Sequence, residues 1–113
     1  MKTLIVSTVL AFITFSAQAA AFQVTSNEIK TGEQLTTSHV FSGFGCEGGN
    51  TSPSLTWSGV PEGTKSFAVT VYDPDAPTGS GWWHWTVVNI PATITYLPVD
   101  AGRRDGTKLP TGA

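Results

Sequence analysis

The chain alternates short runs of apolar and β-branched residues with clusters of glycine, proline, serine and asparagine. Within residues 66–72, Phe67, Val69 and Val71 share one face, and residues 83–90 are dense in aromatic and β-branched types. No window shows the periodicity of an amphipathic helix. Three shorter runs are also predicted to be strands: residues 22–26, 55–57 and 93–97. The pattern predicts an all-β (mainly β) protein, an antiparallel Greek-key β-sandwich.

The first nineteen residues have the layout of a secretory signal peptide. Lys2 gives a positive start, residues 4–15 are almost wholly apolar, and residues 17–19 are small enough for a cleavage point. The apolar run is too short for a membrane-spanning helix, and no later run is longer. We expect a cleaved signal peptide over residues 1–19 and one domain over residues 20–113. A cut two residues later and an uncleaved anchor are the alternatives.

The charge balance argues against nucleic acid as a partner. The chain has six lysines and arginines against eight aspartates and glutamates, a formal net charge of −2. Arg103 and Arg104 are bracketed by Asp100 and Asp105, so the sequence lacks the basic stripe that a phosphate backbone requires. We expect no nucleic-acid partner.

Cys46 is the only cysteine, which is unusual in an exported protein because exported cysteines usually pair. It is a buried thiol, an intermolecular link, or half of a disulfide whose partner is absent. Residues 109–113 read as a loop rather than a closing strand. This favours the third alternative, in a domain that is incomplete at its C-terminus.

A proline-stiffened turn, Asp73-Pro74-Asp75-Ala76-Pro77, precedes residues 83–90, the segment whose residue types most strongly predict a strand. Proline fixes φ at about −65° and restricts the residue before it, so both carboxylates stand on a stiff backbone. His84 lies at the start of the following strand. A neighbouring carboxylate favours the charged form of a histidine, and an imidazolium can bind an anion. The sequence predicts an anion pocket here, with a purely structural His–Asp pair as the alternative.

Alternation along the same strand predicts two faces. One carries Trp82, His84, Thr86 and Val88, and the other carries Trp83, Trp85, Val87 and Asn89. His84 is therefore expected beside Trp82, which would border the pocket.

Other chemistries fit the sequence less well. His39, His84 and Cys46 lack metal-ligand spacing, and Pro77 stands where a calcium loop would need its next ligand. His39 is expected to be an ordinary strand residue. No Gly-x-Ser-x-Gly elbow is present. We expect no metal, no cofactor and no catalysis; a weak hydrolase that uses His84 as a base and Asp73 as its orienter is the alternative.

Three longer segments occur in order along the chain. They read Asn-Thr-Ser-Pro-Ser-Leu-Thr-Trp at 50–57, Val-Tyr-Asp-Pro-Asp-Ala-Pro at 71–77, and Trp-His-Trp-Thr-Val-Val-Asn at 83–89. Together they closely resemble the phosphatidylethanolamine-binding protein (PEBP) family, also called the Raf kinase inhibitor protein family. Within it, the chain looks like an exported member of the bacterial YbhB/YbcL branch, which implies a periplasmic location.

The resemblance implies a β-sandwich with a small pocket for a phosphoryl-type anion or a phospholipid head group. It also implies an inhibitor or scaffold role without catalysis, and a cis bond between Ala76 and Pro77. The residues that would complete the pocket, and a disulfide partner for Cys46, would follow Ala113. Carried over residue by residue, the pocket maps onto Asp73, Asp75, Ala76, Pro77 and His84.

Several questions stay open at this point. A secreted interaction or inhibitor module with a merely structural pocket is an alternative to ligand binding. A protein partner and a homodimer are both compatible with the sequence. Because part of the pocket would lie beyond the last residue, we expect the 113-residue chain to fold poorly and to bind phosphoryl ligands weakly.

Overall fold

A computed structural model describes residues 20–113; the predicted signal peptide, residues 1–19, lies outside the described part. Its elements are β1 (Gln23–Thr25), a 3-10 turn (Thr37–His39), β2 (Ser42–Gly43), β3 (Cys46–Glu47), β4 (Leu55–Ser58), β5 (Ser66–Asp73), β6 (Trp82–Pro91) and β7 (Tyr96–Leu97). Every strand pair is antiparallel, and residues 20–113 contain no α-helix. The predicted all-β fold class is confirmed.

In the described part of the chain the strands form three small sheets: β1-β4-β7, the β2–β3 hairpin and the long β5–β6 hairpin. Sequence analysis missed β2 and β3 because they lie in a glycine-rich segment. Phe44 and Gly45 close that hairpin with φ of 50° and 83°, and positive φ at both central positions suits a type I′ turn. His39 lies in the 3-10 turn, so its predicted place on a strand is wrong. Its Nδ1 is 2.7 Å from the Thr51 carbonyl oxygen.

The core is small and joins the β1-β4-β7 sheet to the β5–β6 hairpin. The rings of Trp57 and Phe67 of β5 pack edge to face with their centres 5.3 Å apart. Among residues 20–113, five apolar residues are buried: Trp57, Val87, Ile90, Leu97 and Ala101. Because Phe67 pairs with Ile90, the core lies at the end of the hairpin away from its connecting loop. The loop end therefore extends beyond the core.

A β-bulge on β6 sets which residues reach this core. Phe67 pairs with Ile90 and Val69 with Val87, so two residues of β6 stand opposite one of β5. Simple alternation places Asn89 on the buried face with Val87. Asn89 instead adopts φ of 58° and is exposed, whereas Ile90 is fully buried. The predicted place of Asn89 is wrong because the extra residue shifts the phase of the strand.

A polar clasp ties the loop after β1 to the start of β4. The Glu28 carboxylate accepts hydrogen bonds from the Ser54 hydroxyl at 2.6 Å and the Ser54 N–H at 2.8 Å. It also accepts one from the Ser26 hydroxyl at 3.2 Å. These bonds, those from Ser54 foremost, hold the pKa of Glu28 below its ordinary value of 4.5. The clasp therefore gives the buried Ser54 an acceptor for both its hydroxyl and its main-chain N–H.

Candidate functional site

A second bulge on β6 determines the position of His84 on the strand. Val71 pairs with Trp85 and Tyr72 with Trp83, which leaves His84 as the extra residue of β6. Because Val71 and Tyr72 are adjacent on β5, their partners lie on opposite faces. The prediction that Trp83 and Trp85 share a face is therefore wrong. Bulges often re-aim a side chain beside a functional site, and this one carries the histidine that the sequence singled out.

His84 and Asp73 form the centre of the candidate site. The Nε2 atom of His84 lies 3.3 Å from Oδ2 of Asp73, the last residue of β5. The other carboxylate oxygen of Asp73 accepts the N–H of Asp75 at 2.9 Å. The hydrogen bond with His84, then the one from Asp75, hold the pKa of Asp73 below its ordinary value of 3.8. Asp73 is therefore a carboxylate at neutral pH.

The other predicted pocket residues follow Asp73 in the loop. Ala76 is half-buried, whereas Asp75 and Pro77 are exposed. All peptide bonds of residues 20–113 are trans, so the expected cis bond before Pro77 is not found. The chain bends there by a three-residue turn instead, in which the Thr78 N–H donates to the Ala76 carbonyl oxygen at 2.6 Å.

Residues that sequence reasoning missed fix the far side of this loop. The Tyr72 hydroxyl donates to the Ser80 carbonyl oxygen at 2.7 Å, and its ring packs on Trp83 with centres 4.6 Å apart. Gly81 has φ of 72°, and a Cβ there would lie 2.5 Å from the Tyr72 hydroxyl. The available signal was a glycine directly before the aromatic strand. Tyr72 and Gly81 hold the loop against the hairpin.

The site is open to solvent and bordered by aromatic rings. The His84 side chain is 51% exposed and that of Asp73 40%. Trp82 and Trp83 are 56% and 59% exposed, and Tyr72 is 45% exposed. When Nε2 of His84 donates to Asp73, Nδ1 can donate to a ligand only in the imidazolium form. The arrangement offers one imidazole, two carboxyl groups and an aromatic border.

Other candidate features stand apart from this site. Cys46 is exposed and free among residues 20–113, so its disulfide remains a prediction. In the same residues no three histidine, cysteine or acidic side chains gather to hold a metal ion. No helix of the described part is long and apolar enough to cross a membrane. Ser52, within the segment at 50–57, accepts main-chain hydrogen bonds from Asp100 and Gly102, each at 2.8 Å, which is a structural role.

The chain is similar to several curated bacterial proteins. It is 99% identical to UPF0098 protein YbcL of Escherichia coli K12 over 113 residues, which cover the whole chain but 62% of that relative. It is 60% identical to YbhB of the same organism over 77 residues, 68% of the chain and 49% of that relative. A UPF0098 protein of Aquifex aeolicus is 39% identical over 94 residues, 83% of the chain and 52% of that relative. The chain thus spans less than two thirds of each of these proteins.

A solved structure and a family model agree with these relatives. The crystal structure of Escherichia coli YbcL, described as a new member of the mammalian PEBP family, matches with a TM-score of 0.80 and 98% identity. The match covers 82% of this chain and 57% of the solved one. The family model for phosphatidylethanolamine-binding protein matches residues 25–113. The chain belongs to the phosphatidylethanolamine-binding protein family.

Proposed function

We propose that the loop end of the β5–β6 hairpin is one wall of a binding site for a phosphoryl head group. The observation that carries the proposal is the contact between His84 and Asp73, held by a bulge and exposed to solvent. A histidine–aspartate pair with a purely structural role would add little to the stability of the fold at this exposed position, because exposed ion pairs contribute little to stability.

The charge on His84 decides whether an anion can bind. Asp73 and Asp75 alone would repel a phosphoryl group. An imidazolium beside the Asp73 carboxylate supplies a donor at Nδ1. Asp73 remains ionised because its pKa is lowered. In this proposal His84 donates to the anion, Asp73 orients His84, and Asp75 with Ala76 and Pro77 shapes the wall.

The same site is suited to an amine next to the phosphoryl group. Asp75 is exposed, and its side chain carries a negative charge that His84 does not neutralise through a direct hydrogen bond. The exposed rings of Tyr72, Trp82 and Trp83 add faces that attract ammonium groups. A zwitterionic phosphoamine head group therefore fits better than inorganic phosphate, which brings only negative charge.

Three further elements of the proposal concern the whole protein. We propose a binding protein rather than an enzyme, since the hydrogen bonds of the described residues pair His84 with Asp73 and not with a hydroxyl nucleophile. We propose export to the periplasm on the signal-peptide pattern of residues 1–19.

A protein-interaction or inhibitor module is the second candidate, favoured by the exposed aromatic border, because aromatic residues are enriched at protein interfaces.

Titration of the longer relative, Escherichia coli YbcL, which is 99% identical over the length of this chain, with three ligands tests the binding proposal. O-phosphorylethanolamine, inorganic phosphate and ethanolamine are added separately while backbone amide resonances are followed by NMR. We expect saturable shifts at residues 73–84 with O-phosphorylethanolamine, weaker ones with phosphate, and none with ethanolamine alone. Equal responses to all three, or shifts spread over the whole chain, would contradict the proposal.

A further inference from the structure

The loop after β7 contains the only Asp–Gly pair of the sequence, Asp105-Gly106. Asp105 is exposed, and a Cβ built on Gly106 would meet no atom of residues 20–113 within 4 Å other than its chain neighbours. Because glycine has no side chain, its main-chain nitrogen can closely approach the Cγ atom of the preceding aspartate. The pair has no part in the proposed binding at His84.

An Asp–Gly pair of this kind can rearrange without a catalyst. The glycine nitrogen loses its proton and bonds to Cγ of the aspartate, and one carboxyl oxygen leaves as water. Water then opens the resulting five-membered succinimide ring at one of its two carbonyl carbons. Opening at one carbon restores aspartate, and opening at the other yields isoaspartate, whose main chain runs through the former side chain. The net change is an isomerisation that consumes no other reactant.

In the folded chain the attacking nitrogen is engaged. The Gly106 N–H donates to the Arg103 carbonyl oxygen at 3.0 Å, which closes a turn over residues 103–106. Gly106 has φ of 65°, a left-handed conformation that glycine adopts freely. Because the proton lies toward Arg103, the nitrogen cannot lose it or reach Cγ until this hydrogen bond breaks.

The carboxyl group of Asp105 is engaged as well. Its Oδ1 accepts hydrogen bonds from the Thr107 hydroxyl at 2.9 Å and the Thr107 N–H at 3.0 Å, and its Oδ2 lies 3.4 Å from a guanidinium nitrogen of Arg103. The hydrogen bonds from the Thr107 N–H and hydroxyl hold the pKa of Asp105 below its ordinary value of 3.8. Asp105 is therefore ionised at neutral pH, and a carboxylate resists attack because its oxygen must gain a proton to leave as water.

These restraints are local and open to solvent. The side chains of Arg103 and Asp105 are 49% and 46% exposed, and exposed ion pairs contribute little to stability. The loop can therefore open by breaking a few hydrogen bonds while the core stays packed. Such an opening would free the Gly106 nitrogen and the Asp105 carboxyl group together.

We propose that Asp105 is a latent site of isoaspartate formation, which its contacts with Thr107 and Arg103 keep inactive in the folded protein. Isoaspartate adds one carbon to the main chain and takes one from the side chain, so the same contacts cannot form again with the same geometry. A chain that reacts once therefore keeps an altered loop.

The test uses the longer relative, Escherichia coli YbcL, which is 99% identical over the length of this chain. The protein is kept at neutral pH for several weeks, either folded or in concentrated guanidinium chloride. Isoaspartate in the peptide that contains Asp105 is then quantified by electron-transfer mass spectrometry, with Asp105→Glu as the blank. We expect isoaspartate to form at least about tenfold faster in the unfolded protein, because the folded loop must open first.

Two variants of Thr107 locate the restraint. Thr107→Val removes the hydroxyl that donates to Asp105, whereas Thr107→Ser keeps it. In the folded state Thr107→Val should react at least about threefold faster than the unmodified protein, the effect of one lost hydrogen bond, and Thr107→Ser should react like the unmodified protein. Circular dichroism would establish that both variants are folded.

Three results would overturn the proposal. They are the absence of isoaspartate in the unfolded protein, equal rates in the folded and the unfolded protein, and equal rates of folded Thr107→Val and Thr107→Ser.

Discussion

The bulge at Asn89 gives the sharpest prediction about the fold. Asn89 has φ of 58°, a left-handed conformation that asparagine tolerates and a β-branched residue does not. Asn89→Val should therefore destabilise the chain by about 1–2 kcal/mol, the cost of the left-handed conformation for such a residue. Asn89→Gly should stay within about 0.5 kcal/mol of the unmodified chain, since glycine adopts this conformation freely.

Urea denaturation followed by tryptophan fluorescence measures the effect. With a slope of about 1 kcal/mol per molar urea for a small domain, Asn89→Val should lower the midpoint by about 1–2 M. Thr86→Val is the matched control, because Thr86 is exposed on the same strand and its φ is not positive. Its change should be within about 0.5 kcal/mol. An Asn89→Val variant as stable as Thr86→Val would refute the bulge as the device that buries Ile90.

Four further outcomes follow from the contacts. Ile90→Ala should cost about 2–5 kcal/mol, because Ile90 is fully buried in a core of five residues, and urea unfolding would detect it. Gly81→Ala should broaden or shift the amide resonances of the 73–81 loop, because its Cβ would meet the Tyr72 hydroxyl; an unchanged spectrum would contradict that packing. Glu28→Gln should destabilise the chain at neutral pH, and the difference from the unmodified chain should vanish as the pH falls through the lowered pKa of Glu28, because a depressed carboxyl pKa stabilises only above it; a constant difference down to pH 2 would contradict this. If residues 1–19 are a signal peptide, fractionation of expressing cells should recover a shortened chain in the periplasm, and a full-length chain in the cytoplasm would contradict export.

The strands were predictable because period-two alternation survives in the sequence wherever one face of a sheet is buried. Residues 66–72 and 83–90 lie within β5 and β6. The predicted strand at 93–97 shortens to Tyr96–Leu97 because the Ile94 N–H donates to the Pro91 carbonyl oxygen and closes a turn. Turn geometry of this kind depends on the main chain and leaves little trace in composition.

The two bulges of β6 could not be predicted from alternation, and they decide which side chains lie on each face of the hairpin. An extra residue at a bulge reverses the phase of every side chain beyond it, so simple alternation misplaced Asn89 and wrongly put Trp83 and Trp85 on one face. The closeness of Asp73 and His84 was predictable, because a turn and the start of the next strand must meet at one end of a hairpin. The roles of Tyr72 and Gly81 were not, since they arise from packing between the loop and the strand.

The most direct test of the binding account is a titration of the longer relative, Escherichia coli YbcL, with O-phosphorylethanolamine at pH 6, comparing the unmodified protein, His84→Ala and Thr86→Ala. Both substituted side chains are exposed on β6, and only His84 contacts Asp73. Circular dichroism would establish that the three proteins have the same strand content. We predict that His84→Ala binds at least about tenfold more weakly, the loss expected for one charge-assisted hydrogen bond, while Thr86→Ala binds like the unmodified chain. Equal affinity of all three proteins would contradict the assignment of the site to His84.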